Sequence, residues 1–262
     1  MTDSFPVILG TCLDAEAIWL GKSPENIDRP ALLSHGAYEI NEGLPAMLDL
    51  YERQRIQTTF FVPGVTADRY PEAVREIARR GHELGSHGYN HLSPLLLDAA
   101  REREELVGGM DAIERACGQR PVTWRSPSWE FTSRTIDLLL ATGVEVSTNL
   151  HDRSRPYRHQ RDGKSLRLIE LPVEWHLADA PYFMHAGLPG RVIFPPAMVE
   201  ELWREEFLGL MERPGSFLHL TLHPQLIGHP GRLRMLERFI VFMRQHARVR
   251  FMRCDELAAT VA

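Results

Sequence analysis

Residues 57–91 read QTTFFVPGVTADRYPEAVREIARRGHELGSHGYNH, and the order of patterns within them decides the fold class. Gln57–Val62, rich in Thr and Phe, reads as a strand stopped by Pro63-Gly64. Pro71–Arg80 reads as a helix that opens on proline and ends at Gly81, a residue suited to a left-handed cap. His82–Ser86 reads as a second short strand running into a loop. Strand, helix and strand in that order predict parallel strands joined by a crossover helix.

The alternation continues on both sides. Phe5–Leu13, Val122–Arg125, Val144–Ser147, Leu166–Leu171, Phe217–Leu222 and Val249–Arg253 read as strands. Helices are expected from Gly43-Leu-Pro to about Arg55, and over Asp98–Cys117, Ser133–Thr142, Pro196–Glu212 and Pro230–His246. His151–Lys164 is polar and basic and reads as an exposed loop. With no repeat and no linker, residues 1–262 read as one domain of α/β class, a distorted (β/α) barrel. An open sheet is the alternative. In either architecture active residues gather at the carboxyl ends of the strands.

Composition narrows the function. The chain has 262 residues, 44% hydrophobic and 25% charged, which is ordinary for a globular protein. A net charge of −5 with acidic and basic residues interspersed gives no footprint for nucleic acid or a membrane surface. No apolar run approaches the roughly 20 residues that span a bilayer. Met1-Thr-Asp-Ser-Phe-Pro carries no secretory pattern, and Cys12, Cys117 and Cys254 show no disulfide or metal spacing. The expectation is a cytoplasmic protein.

The residues that carry chemistry sit at expected strand ends. His87-Gly-Tyr-Asn-His91 places two imidazoles four residues apart, able to share a metal from one helical turn. Asp14, in Leu13-Asp-Ala-Glu16, follows the first strand; it reads as a third ligand, or as the cap of a helix over Ala15–Leu20. Two histidines and a carboxylate with open positions form a common catalytic arrangement for zinc or another divalent metal. Arg125-Ser-Pro-Ser-Trp129 puts a guanidinium and an indole at another strand end. His223, in Leu222-His-Pro224, is placed for general acid work. Glu170-Leu-Pro-Val-Glu-Trp175 resembles a pocket wall, and Asp179-Ala-Pro-Tyr-Phe183 and the basic stretch Arg153–Arg161 are candidate pocket linings or lids. Trp129, Trp175 and Tyr182 are therefore the expected substrate-pocket residues, with Tyr182 and Phe183 reading equally as subunit contacts.

In this order the stretches resemble the polysaccharide deacetylase superfamily (carbohydrate esterase family 4), most closely the branch of cyclic imide hydrolases and the Helicobacter-type peptidoglycan deacetylase. Thr59-Phe-Phe-Val-Pro-Gly64 and Gly81-His-Glu-Leu-Gly-Ser-His-Gly-Tyr-Asn-His91 belong to the match, which covers nearly the whole chain. The resemblance implies a deacetylase-type barrel with one divalent metal, zinc first, on Asp14, His87 and His91. It implies His223 as general acid, Arg125 as an organiser of the site, and a homo-oligomer, dimer or tetramer. The family's first motif carries two aspartates, a base and a metal ligand. Aligned on Asp14-Ala-Glu and Trp19-Leu20, the base position falls on Cys12; read as adjacent aspartates, it falls on Leu13.

Three readings of that change follow. Cys12 acts as a thiolate base beside Arg125, with Glu16 as a second candidate. Alternatively Cys12 has joined the metal shell or become a nucleophile. In the third reading the chain binds a ligand without turnover. The expected substrate is a small amide, imide or ureide rather than a cell-wall polymer, with polysaccharide N-deacetylation as the alternative.

Overall fold

The computed structural model of the chain describes residues 4–185 and 192–261. Its strands are β1 (Phe5–Cys12), β2 (Thr59–Val62), β3 (Glu83–Ser86), β4 (Thr123–Trp124), β5 (Val146–Ser147), β6 (Tyr157–Arg161), β7 (Lys164–Glu170), β8 (Leu218–Leu222) and β9 (Val249–Phe251). They form one sheet in the order β6-β7-β5-β4-β3-β2-β1-β8, and β9 pairs with the start of β1. The pairings are parallel apart from the antiparallel β6–β7. Helices such as Leu44–Arg53, Pro71–Arg79, Ala99–Cys117, Thr135–Thr142 and Pro196–Met211 fall between strands, as the alternation of patterns requires.

Both faces of the central strands are buried, so they read as near-continuous apolar runs. The period of two still sorts their side chains. On β1, Phe5, Val7 and Leu9 enter the larger core, while Ile8 and Cys12 enter a smaller cluster with Phe61, Val146, Ile169 and Phe217. β1 and β5 are separated by three strands in the sheet, about 19 Å apart if it were flat. Their side chains share one cluster, so the sheet is curled. Arg125, just after β4, makes the same point by bonding His219 of β8 at 2.8 Å. Among the described residues the strand ladder does not close between β7 and β8. The chain after β7 runs there, and Ala178 bridges Thr221 of β8 in parallel. The architecture is an α/β barrel left open at one seam.

One expectation changes. The polar stretch 151–164 is not all loop, because Tyr157–Arg161 forms β6. Asp162 and Gly163, both at positive φ (50° and 73°), turn it back onto β7, the Asp-Gly chemistry of a tight hairpin. Its alternation is charged rather than apolar, and charge on an edge strand blocks further pairing. The helix Pro30–Tyr38 and the π-helical turn Glu39–Gly43 were not anticipated. No described helix is long and apolar enough to cross a membrane.

At the amino-terminal end of the strands a buried carboxyl stands apart from the site. Glu83 accepts hydrogen bonds from the Thr59 hydroxyl at 2.5 Å, the Thr123 hydroxyl and Asp255 N–H at 3.1 Å. Burial, then the charge of Asp255, pushes its pKa up to about 7. Unfolding returns the group to the usual range near 4.5, so the folded chain keeps a proton that the unfolded chain releases. The stability from this group is complete below about pH 4.5 and is lost as pH rises through about 7. The loss amounts to about 3 kcal/mol at ~1.4 kcal/mol per pH unit. Urea unfolding of wild type and Glu83→Gln should therefore show wild type losing ground to the variant between pH 4.5 and 7.5. A constant difference would mean that Glu83 is ionised in the fold.

Candidate active site and metal centre

The inward period of two continues past the strand ends and builds the site. Cys12 closes β1 and faces inward; Asp14, two residues on, takes the same side after Leu13 N–H bonds Phe61 O at 2.9 Å. Thr11 pairs with Leu222, so His223 emerges beside Cys12. Ser86 pairs with Trp124, which brings His87 and Arg125 side by side. His87 and His91 do not share a helical turn as expected. They lie on a loop bent by Gly88 (φ 73°), with His91 itself at φ 59°. The expected helix after Asp14 is a single turn, Ala17–Leu20, and Asp14 does not cap it.

Asp14 sits at the centre. Its carboxylate is fully buried and neither oxygen has a hydrogen-bond partner. Nε2 of His87 lies 3.7 Å from Oδ1, and Nε2 of His91 and of His223 lie 3.8 and 3.7 Å from Oδ2. Such gaps are too long for hydrogen bonds. They match the spacing of an oxygen and a nitrogen that each sit about 2 Å from one cation. An orphaned buried carboxylate is costly unless something occupies that gap. Cys12, Asp14 and His87 also offer ligand atoms within 4.8 Å of one another. That cluster of donors fits a divalent metal; His91 reaches the Asp14 carboxylate at 3.8 Å but stands outside the cluster.

A second layer fixes the ring orientations. His87 Nδ1 donates to Arg125 O at 2.8 Å, which turns Nε2 toward Asp14. His223 Nδ1 bonds Asp179 Oδ1 at 2.6 Å, and its backbone N–H bonds Asp179 Oδ2 at 2.8 Å. The guanidinium of Arg125 is fully buried. Nε donates to Thr148 Oγ1 at 2.9 Å, Nη2 to His219 Nε2 at 2.8 Å and Nη1 to Cys12 Sγ at 3.5 Å. The guanidinium also lies over the Phe61 ring at 3.9 Å.

The charges pull the titrating groups apart. Burial alone would raise the Cys12 thiol, but Arg125 and His87 outweigh it and bring the pKa to about 6, helped by hydrogen bonds from His223 and His87. Burial also opposes the Asp14 carboxylate, and His91, His87 and His223 overcome it to hold its pKa below the usual range. His91 falls to about 3 through burial and the charges of His87 and His223, against the pull of Asp14. His223 resists the same burial because Asp179 and Cys12 favour its charged form, and its pKa rises well above the usual value.

These groups floor a cavity of about 700 Å³. Cys12, His87, His91, Arg125 and His223 line it, as do the expected Trp129 and Trp175, whose rings stand 4.4 Å apart. Two expected residues lie elsewhere. Glu16 accepts from Tyr70 Oη at 2.8 Å and faces Arg69 on the outside of the turn. Tyr182 donates its hydroxyl to His176 O at 3.0 Å and does not line the cavity. In both cases a local partner of opposite character captures the side chain. Sequence reading missed His219, Thr148, Glu39 and Gln225, and gave Asp179 no role of its own. His219 was recoverable, since it shares the inward parity of His223 on β8.

Comparison with known proteins places the chain. The polysaccharide deacetylase pattern matches residues 32–147. The crystal structure of a putative polysaccharide deacetylase from Mycobacterium smegmatis superposes with a TM-score of 0.90 at 37% identity, over 97% of this chain and 88% of that one. The chain belongs to the polysaccharide deacetylase family. Its relatives include the peptidoglycan deacetylase of Helicobacter pylori, 29% identical over 98% of this chain and 96% of that protein. An allantoinase, 22% identical with a TM-score of 0.85 over 98% of this chain and 90% of its own, shares the fold.

Within this family member, Gly10 makes room for the buried guanidinium on the inward face of β1. A Cβ there would stand 2.8 Å from His219 Nε2 and 3.0 Å from Arg125 Nη2. Gly10→Ala should cost about 1–3 kcal/mol by overpacking, measured by urea unfolding. Unchanged stability would show that the Arg125 layer has slack.

Proposed function

We propose that this deacetylase-family chain hydrolyses a non-peptide carbon–nitrogen bond in a small amide or cyclic imide. Asp14, His87 and His91 would hold one divalent metal, zinc first, and the chain acts as one catalytic unit. The observation that carries the reading is the unpartnered Asp14 carboxylate, faced by three imidazoles on the floor of an indole-walled cavity. A metal bound there supplies polarisation of the scissile carbonyl and an acidified water.

The chain's own groups supply the proton transfers and the fit. His223 gives a proton to the departing nitrogen, its ring fixed through Nδ1 by Asp179. Cys12, the family's base position, takes a proton from the attacking water, with Arg125 Nη1 beside the sulfur. Glu16 has no part, since its carboxylate is engaged by Tyr70. Trp129 and Trp175 present flat apolar surface to a planar ring and exclude water from it. A volume near 700 Å³ lies within the range of small-molecule sites, about 300–1,000 Å³. The second reading, N-deacetylation of an amino sugar, is favoured by the Helicobacter relative, which matches along nearly its whole length.

The test is hydrolysis by purified protein of succinimide, maleimide, hydantoin, dihydrouracil, allantoin and N-acetylglucosamine oligomers, with Zn²⁺ and with chelator. Zinc-dependent ring opening by wild type is expected, and His223→Ala should lower turnover by about 10²–10⁴-fold. Deacetylation of the sugars without ring opening would select the second reading. Turnover only by Cys12→Asp would replace the hydrolase assignment with a ligand-binding one.

A further inference from the structure

We propose that Glu39 is a positioning residue of the metal centre, acting through the turn that carries Asp14. The inference rests on the reading that Asp14, His87 and His91 hold the metal. Ala15, the next residue, has φ 49°, a left-handed conformation that costs a residue with a Cβ about 1–2 kcal/mol. It persists only where the surroundings hold it.

Three distant segments do so. From the turn Glu39–Gly43, Glu39 Oε2 accepts the Ala15 N–H and also a hydrogen bond from Gln225 Nε2 at 3.1 Å. Gln225 stands two residues beyond His223, and its Oε1 accepts the Trp19 indole N–H at 3.1 Å. On the other side, Thr66 Oγ1 donates to Asp14 O at 2.8 Å. The helix Pro30–Tyr38 closes over the same turn, since a Cβ at Gly36 would meet Glu16 N at 2.5 Å and Ala15 C at 2.6 Å.

Glu39 is fully buried, and its Oε1 has no partner. Burying a carboxyl for local packing alone is expensive. It does not line the cavity, and its hydrogen-bond route to the site is the Ala15 N–H, next to Asp14. Groups that orient metal ligands in this way commonly set affinity by about 10–100-fold.

The experiment is zinc titration of metal-free protein against a fluorescent chelator, for wild type, Asp14→Ala, Glu39→Ala, Glu39→Gln and the core variant Met243→Ala. Glu39→Ala should weaken zinc binding by about 10–100-fold. Glu39→Gln keeps an oxygen for the Ala15 N–H and should recover most of that loss. Met243→Ala should lower thermal stability and leave zinc affinity unchanged, separating positioning from general destabilisation. If Glu39→Ala fails to fold, Glu39→Asp, one methylene short of the Ala15 N–H, takes its place with the same expected loss. Wild-type affinity in the folded Glu39 variants, or a Gln variant as weak as the Ala variant, overturns the proposal. Equal zinc affinity in wild type and Asp14→Ala overturns the metal reading, and this inference with it.

Discussion

The guanidinium of Arg125 is the group on which fold and site both depend. It has no exposure to solvent and, among the described residues, no ion pair with a carboxylate. Burying such a cation costs several kcal/mol unless its donors and charge are met. Its partners come from well-separated strands: His219 on β8, Thr148 just after β5, Phe61 on β2 and Cys12 on β1. Meeting the charge therefore requires the sheet to curl, and the empty inward position at Gly10 admits the planar group. The same residue's carbonyl holds His87, so the curled sheet and the orientation of that imidazole are set together.

Above this layer, environment sorts three histidines that sequence alone cannot rank. All three face one carboxylate and all are buried. His91, opposed by burial and by two neighbouring imidazoles, is held neutral. His223 has Asp179 behind it and favours its charged form. His87 is raised as well, against burial, by Cys12 and Asp14. Charge thus sets His91 apart from the other two, and the hydrogen bonds at Nδ1, to Arg125 O and to Asp179, set His87 apart from His223. Neighbours that push like groups apart in pKa are how a site divides acid and ligand work.

The expected fold class followed from residues 57–91 because strand and helix periods alternate there without interruption. The elements that escaped notice lack an apolar period. Tyr157–Arg161 is an edge strand of polar residues, and Glu39–Gly43 is a π-helical turn whose one buried polar side chain looks unremarkable in sequence. Asp14, His87, His91, Arg125 and His223 were picked out because they follow strands; the structure brings the last four to one cavity and sets Asp14 against its three imidazoles. Glu16 and Tyr182 stand outside it, since each is captured by a partner that spacing does not record, Tyr70 for one and the His176 carbonyl for the other. Glu39 and Gln225 were illegible for a related reason. Their contacts span 24 and 210 residues of chain, and no local pattern marks either.

That division also explains how a cysteine can stand at position 12 without disturbing the rest. An aspartate there would give the buried guanidinium a carboxylate partner, which a cysteine withholds. Arg125 instead has three other contacts, and the sulfur at 3.5 Å is the longest of its hydrogen bonds. The Asp14 turn draws on a different set of anchors, Thr66, Glu39 and Gln225, none of which touches Arg125. Cys12 and Asp14 lie two residues apart in sequence and share His87 and His223 as neighbours, yet the Asp14 turn is anchored apart from the Arg125 layer. A substitution at Cys12 changes the chemistry available to the cavity while the anchors of the Asp14 turn stay in place.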